Sequence, residues 1–261
     1  MTPQTLLAHY DSTALWPAPC GLTVDAAYQS ALQVRALRVA RGEHPRGYKI
    51  GFTNRGIWER YQVFAPIWGT VWNTTLSFCE GQGEVPLAAA CQPRIEPEAV
   101  LCMACTPPPA PSINQLFDCL EWVAPGFEVV QSHMPEWKFA AADTVADGGL
   151  HAHLLVGPRV PARTLARDGE GLEALLAASR VRLHRNGQEV DSGAGANVLD
   201  GPLHALQHFL QALRTCPGST DLVAGDVITT GTWTDAWPVK PGEVWSAAFS
   251  DVLPRLDVAF R

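Results

Sequence analysis

No stretch of this 261-residue chain approaches the ~18 uninterrupted apolar residues that a membrane-spanning helix needs. Positive charge is also scarce. Nineteen Lys and Arg stand against 26 Asp and Glu, a net charge of −7, which argues against a nucleic-acid binder with its basic patch. The N-terminal Met1-Thr2-Pro3-Gln4 lacks the basic region and apolar core of a secretory signal. Seven cysteines, an odd number, imply no disulfide framework, so reduced thiols and a cytoplasmic location are expected. There is no internal repeat and no disordered tail. What is present is 47% hydrophobic and 17% charged, enough to bury a large core in one or two domains.

Thr23 can cap a helix over about residues 24–41, with Val24, Ala27, Tyr28, Ala31 and Val34 at helical spacing and Gly42 at its end. Arg35, Arg38 and Arg41 fall on its other side and are expected in solvent. From Tyr48 onward the chain breaks into short apolar runs punctuated by Gly and Pro, the texture of strands and turns. Thr106 to Pro111 is a stiff connector that delivers Ser112, which forms a capping box with Gln115. The helix it opens places Ile113, Leu116, Phe117 and Leu120 on one face. Val181–Arg185, the Asn186-Gly187 turn and Gln188–Ser192 read as a hairpin. Pro202 opens a helix that buries Leu203, Leu206, Leu210 and Leu213. The expected organisation is a helical N-terminal region, residues 1–75, on a β-rich domain, residues 76–261, of α+β class.

The sharpest chemical signal is Arg94-Ile95-Glu96-Pro97-Glu98, followed about thirty residues later by Glu128 in Phe127-Glu128-Val129-Val130. On a strand Glu96 and Glu98 share a face. The commoner fate of Glu-x-Glu on a strand is a solvated face. If Glu128 joined them, three carboxylates would need a cation, and all-oxygen ligation favours Mg²⁺ or Mn²⁺ over zinc. Lys49, in Gly47-Tyr48-Lys49-Ile50-Gly51-Phe52-Thr53, has an apolar setting that predicts partial desolvation, a lowered pKa and an ammonium near a substrate anion; the alternative is a lysine that snorkels to the surface.

Other candidates are weaker. Cys102-Met103-Ala104-Cys105 lacks a second pair at zinc spacing and lies in a strand-like run, which favours structural thiols. His151 with His153, and His204 with His208, lack a third ligand and read as satisfied or surface histidines. Gly193-Ala194-Gly195 fails the dinucleotide pattern. Trp58, Trp68, Trp72 and Trp233 either belong to the core or wall a pocket.

In order and spacing, these segments resemble the 2-keto-4-pentenoate hydratase and 2-oxo-3-hexenedioate (4-oxalocrotonate) decarboxylase family, within the fumarylacetoacetate hydrolase superfamily. The resemblance runs from the Lys49 segment through Pro93–Glu98, Pro125–Val130, Ala142–Asp147, Arg185–Gly187 and Gly193–Ala196 to Gly225–Gly231. It implies a mixed β-rich fold with a small helical N-terminal part, in a homo-oligomer. It makes Glu96, Glu98 and Glu128 the ligands of Mg²⁺ or Mn²⁺ and Lys49 the catalytic residue. It places Lys49, Phe52, Asp143, Thr230 and Gly231 around a 2-oxo or 2-hydroxydienoic acid substrate.

The chain also departs from the pattern. Where the family carries acids after the lysine segment, this chain reads Pro66-Ile67-Trp68-Gly69-Thr70-Val71-Trp72-Asn73-Thr74. Gln131-Ser132-His133 replaces Asp-Ser-Arg, and Gly148 replaces Asn, so the metal site is intact while the substrate edge is rewritten. The function expected is hydration of a 2-hydroxy-2,4-dienoate to a 4-hydroxy-2-oxo acid in aromatic-compound catabolism. Decarboxylation, acylpyruvate-type C–C hydrolysis and a non-catalytic subunit of a hydratase–decarboxylase complex stay open. Trp68 and Trp72 in place of charge favour a monocarboxylate with an apolar tail.

Overall fold

The computed structural model describes residues 1–250 and 252–261. The strands are β1 (Pro45–Gly51), β2 (Ile67–Trp72), β3 (Leu76–Phe78), β4 (Gln82–Val85), β5 (Arg94–Met103), β6 (Leu120–Val130), β7 (His151–Val156), β8 (Val160–Pro161), β9 (Arg180–Arg185), β10 (Gln188–Ala194), β11 (Val227–Thr229), β12 (Trp237–Pro238), β13 (Val244–Phe249) and β14 (Leu256–Phe260). A mixed sheet runs in the order β2-β1-β11-β5-β6-β7-β3, with β12 beside β5 and β8 beside β6. A second sheet runs β10-β9-β13-β14-β4. The long antiparallel pair β5–β6 forms the centre of the first sheet, and its apolar texture fits burial on both faces.

Helices α1 (Pro3–Tyr10), α2 (Val24–Ala40), α3 (Trp58–Tyr61), α4 (Ile113–Asp118), α5 (Ala141–Ala146), α6 (Ala162–Leu165), α7 (Gly169–Ala178) and α8 (Pro202–Thr215) cover the sheets. Thr23 caps α2 by accepting from the Ala26 amide, and Ser112 and Gln115 form the predicted box on α4. Helix α4 ends at Asp118, so Leu120 belongs to β6 and not to the helix. Helix α8 buries Leu203, Leu206, Leu210 and Leu213 as its spacing predicts.

The first 75 residues share their strands with the rest of the chain, because β1 pairs in parallel with β11 and carries β2 on its other edge. Within the stretch Pro66–Thr74 that follows the lysine segment, Ile67–Trp72 form β2, in register with β1. Leu6, Trp16, Ala27, Val34 and Ile67 pack with Met134 and Val145 in a core of their own. Arg38 is buried, contrary to expectation: Glu43 takes its Nη2 at 2.6 Å, and its guanidinium lies 4.4 Å from the Trp72 ring centroid. No helix among the described residues is long and apolar enough to cross a membrane.

Candidate metal centre and active site

Strand register brings the three glutamates together. Glu96 on β5 stands opposite Glu128 on β6, and alternation puts Glu98 on the same face as Glu96. One carboxylate oxygen from each lies within 4.8 Å of the others. Glu98 and Glu128 are fully buried, and Glu96 is half-buried at the cavity wall. Lys49 arrives from β1, with its ammonium 3.1 Å from Glu128 Oε2. The other Glu128 oxygen lies 2.9 Å from His151 Nδ1, and His151 Nε2 reaches Thr75 Oγ1 at 2.8 Å.

The electrostatics follow from that crowding. Burial and the Glu128 and Glu96 charges push Glu98 well above the usual carboxylate range. Burial also lifts Glu96, to about 7, even though the Lys49 charge opposes it. Burial opposes the charge on Glu128, but Lys49 and His151 hold it below its ordinary value. Burial works against the Lys49 ammonium, but Glu128, Glu96 and Glu98 outweigh it and raise its pKa. The lowered lysine expected from the local sequence is thus reversed by carboxylates distant in the chain.

With all three ionised, the carboxylates against one ammonium would leave two negative charges in a largely buried site, the charge a divalent cation would balance. Glu98 Oε1 is buried without a hydrogen bond and Glu128 Oε2 faces the Lys49 ammonium, while Glu98 Oε2 accepts from the Gly231 amide at 2.6 Å. Hard, anionic oxygens directed at one point fit Mg²⁺ or Mn²⁺. Gly231 has φ 98°, and a side chain there would meet Thr53 Oγ1 at 1.9 Å, so only glycine can present that amide to Glu98.

Above the carboxylates opens a cavity of about 510 Å³. Lys49, Phe52, Glu96 and Gly231 line it, together with Arg94, Trp137, Lys138 and Phe139, which the sequence did not single out as site residues. Asp143 is not brought to the cavity: its carboxylate accepts from the amides of Cys20 at 2.7 Å and Ala140 at 2.9 Å and ties the N-terminus of α5. Thr230 is buried and donates to the Ala99 carbonyl at 3.0 Å, so its hydroxyl braces β5. Trp58, Trp68, Trp72 and Trp233 do not line this cavity: Trp68 stacks on Tyr28, Trp72 lies under Arg38 and Trp233 is in the core.

The departures from the family pattern at 131–133 and 148 also lie behind the cavity. Gln131 accepts from the Cys91 amide, and His133 pairs with Asp147 at 2.7 Å. Gly148 has φ 61°, and any side chain there would run into the Tyr10 hydroxyl at 1.7 Å. These exchanges repack the support and leave the substrate edge to other residues.

Comparison with known proteins agrees with this architecture. Residues 60–255 match the family described as fumarylacetoacetate (FAA) hydrolase C-terminal, and the chain belongs to that family. Its relatives include the 2-hydroxyhexa-2,4-dienoate hydratase of Comamonas testosteroni, 30% identical over 224 residues, covering 85% of this chain and 81% of the relative. A 4-oxalocrotonate decarboxylase of a Pseudomonas species is 28% identical over 221 residues, covering 85% and 81%. In fold, the 4-oxalocrotonate decarboxylase of Pseudomonas putida G7, complexed with magnesium and adipate, superposes with a TM-score of 0.85 over 100% of this chain and 99% of its own, at 24% identity.

Proposed function

We propose that the protein is a metal-dependent hydro-lyase that adds water to a 2-hydroxy-2,4-dienoate and yields a 4-hydroxy-2-oxo acid. The observation that carries this reading is the Glu96–Glu98–Glu128 cluster, with the Lys49 ammonium beside it at the base of a cavity. Relatives named as hydratases, at 27–30% identity over most of the chain, support it. Glu96, Glu98 and Glu128 would hold Mg²⁺ or Mn²⁺. When bound, the ion supplies Lewis-acid stabilisation of negative charge on the 2-oxygen of the substrate.

The chain's own groups do the rest. His151 fixes one oxygen of Glu128 and thereby the direction of the other. Lys49 keeps a cation beside the reacting acid and can hand a proton to the carbon skeleton, an effect of roughly 10²–10⁴-fold for general acid–base catalysis. Phe52, Trp137 and Phe139 wall the cavity and limit water around the conjugated part of the substrate. Acylpyruvate-type hydrolysis, which calls for a His–carboxylate pair to activate water, is disfavoured because the pair at this centre, His151 with Glu128, has its second ring nitrogen on Thr75 Oγ1 and His151 is not among the described residues lining the cavity. We place the enzyme in the cytoplasm as a homo-oligomer, on the unpaired state of its seven thiols and on its family.

Decarboxylation is the second reading, favoured by the relatives named 4-oxalocrotonate decarboxylase. Product mass in ¹⁸O-labelled water with CO₂ capture separates the two. Gain of one labelled oxygen with every carbon retained supports hydration, and stoichiometric CO₂ overturns it.

A further inference from the structure

The Cys102-Met103-Ala104-Cys105 run has no part in the chemistry described so far, and the fold splits it. Side chains alternate along β5, and Cys102 packs with Val100, Trp122 and Ala124 on one face of the sheet, its thiol 3.8 Å from Glu121 Oε2. Cys105 lies beyond the end of the strand and is exposed. Its neighbour in space is Cys119, which caps the C-terminus of α4 and precedes β6. Cys119 is buried in the main core with Leu116 and Leu120.

Contacts on both sides of Cys105 fix that approach. The Ala104 amide donates to the Cys119 carbonyl at 2.7 Å, continuing the ladder in which Met103 faces Leu120. The Cys119 thiol reaches the Thr106 carbonyl at 3.9 Å. Cys119 thus touches the residues before and after Cys105, and the two thiols are in hydrogen-bond contact. Residues this near across a strand pair fall within the separations that a disulfide spans. Burial, and then the Cys105 thiol, push the Cys119 thiol up to about 12, which leaves the exposed Cys105 as the sulfur an oxidant meets first. The intervening residues 106–118 are already tied down: Thr106 Oγ1 donates to the Leu222 carbonyl at 2.7 Å, and Arg214 donates to the Pro107 and Pro108 carbonyls at 2.6 and 2.7 Å. Little backbone movement is needed to join the two sulfurs.

We propose that Cys105 and Cys119 form a reversible dithiol–disulfide couple, a modification site at which hydrogen peroxide closes residues 106–118 into a covalent loop and stiffens the fold. Peroxide oxidises the Cys105 sulfur to a sulfenic acid and leaves one molecule of water. The Cys119 sulfur then attacks that sulfur; the S–S bond forms, the S–O bond breaks, and the hydroxyl departs with the Cys119 proton as a second water. Two thiols are oxidised and one peroxide is reduced. Cys102 takes no part, because its side chain leaves the opposite face of the sheet. No residue from 102 to 119 is among those lining the cavity, so the couple acts on stability and is independent of the reaction proposed above.

The test treats the folded full-length protein, reduced and then freed of reductant, with a small excess of hydrogen peroxide. Remaining thiols are alkylated, and the unreduced protein is digested and mapped by mass spectrometry. The main product should be a peptide pair joined through Cys105 and Cys119, reversed by dithiothreitol. The oxidised protein should melt at least about 3 °C above the reduced one, as closure of a loop of this length implies. Cys105→Ser, at an exposed position, should abolish both the joined pair and the gain in melting temperature, while Cys102→Ser should keep both. In Cys119→Ser, dimedone should trap a sulfenic acid on Cys105. No joined pair, a bond from Cys105 to Cys102 or to another chain, irreversible sulfinic acid at Cys105 in the wild type, or a joined pair without a gain in melting temperature would each overturn the proposal.

Discussion

Glu128 has one oxygen on His151 and the other facing Lys49, with two more carboxylates alongside. Each residue of this group answers for a neighbour's charge, so substitutions should separate metal binding from folding. Glu98→Gln removes a ligand but also removes a buried like charge. It should weaken Mg²⁺ or Mn²⁺ binding by at least about tenfold in calorimetry, while thermal stability of the metal-free protein holds or rises. A parallel loss of metal-free stability would make Glu98 a structural residue. Lys49→Met should leave the fold intact and lower kcat/KM by roughly 10²–10⁴-fold. A variant within about twofold of wild type would remove Lys49 from the chemistry.

Two elements support this centre, the β5–β6 pair and the segment 131–139. Gln92 donates from its side-chain amide to the carbonyls of Ser132 at 2.7 Å and Met134 at 2.8 Å, and so staples the segment that bears Trp137. Gln92→Ala should raise amide hydrogen exchange across residues 132–138 and raise KM more than it lowers kcat. Unchanged exchange there would show the segment to be held by other contacts. In the link between α2 and β1, burial would raise the Glu43 pKa, but Arg38, Thr74 and Arg41 hold it down at about 2. A depressed carboxylate stabilises the fold above its ordinary 4.5 and loses that contribution as pH falls through the interval to about 2. Glu43→Gln should therefore lower unfolding free energy at neutral pH, by up to about 3 kcal/mol, and flatten the acid limb of the stability curve. An acid limb identical to wild type would refute the pairing.

At this scale the limits of the sequence are physical. Strand alternation alone puts Glu96 and Glu98 on one face, and capping chemistry alone marks Thr23 and Ser112. The register that sets Glu128 opposite Glu96 depends on pairing over distance and came only through the resemblance. His151 was read as a satisfied or surface histidine, and Arg94 and Trp137 were not singled out; the one available signal was the place of Arg94 two residues before Glu96, on the same face of a strand. Asp143 and Thr230 were misplaced because a matching segment does not say whether a polar side chain caps a helix or faces a ligand.

For the whole molecule, a mixed nine-stranded sheet carries the centre, and helices from both ends of the chain close over it. The first 75 residues contribute Lys49 and Phe52, and the last third contributes Gly231, so the site exists only when distant segments meet. The account requires that the charge left by three carboxylates and one lysine be balanced by a divalent ion, and that turnover need it. The direct measurement strips the protein with excess chelator, verifies the metal content by elemental analysis, and assays dienoate turnover before and after adding Mg²⁺ or Mn²⁺. The account predicts no turnover in the stripped protein and recovery as one ion per chain is bound. Full activity in excess chelator with no bound metal would contradict it.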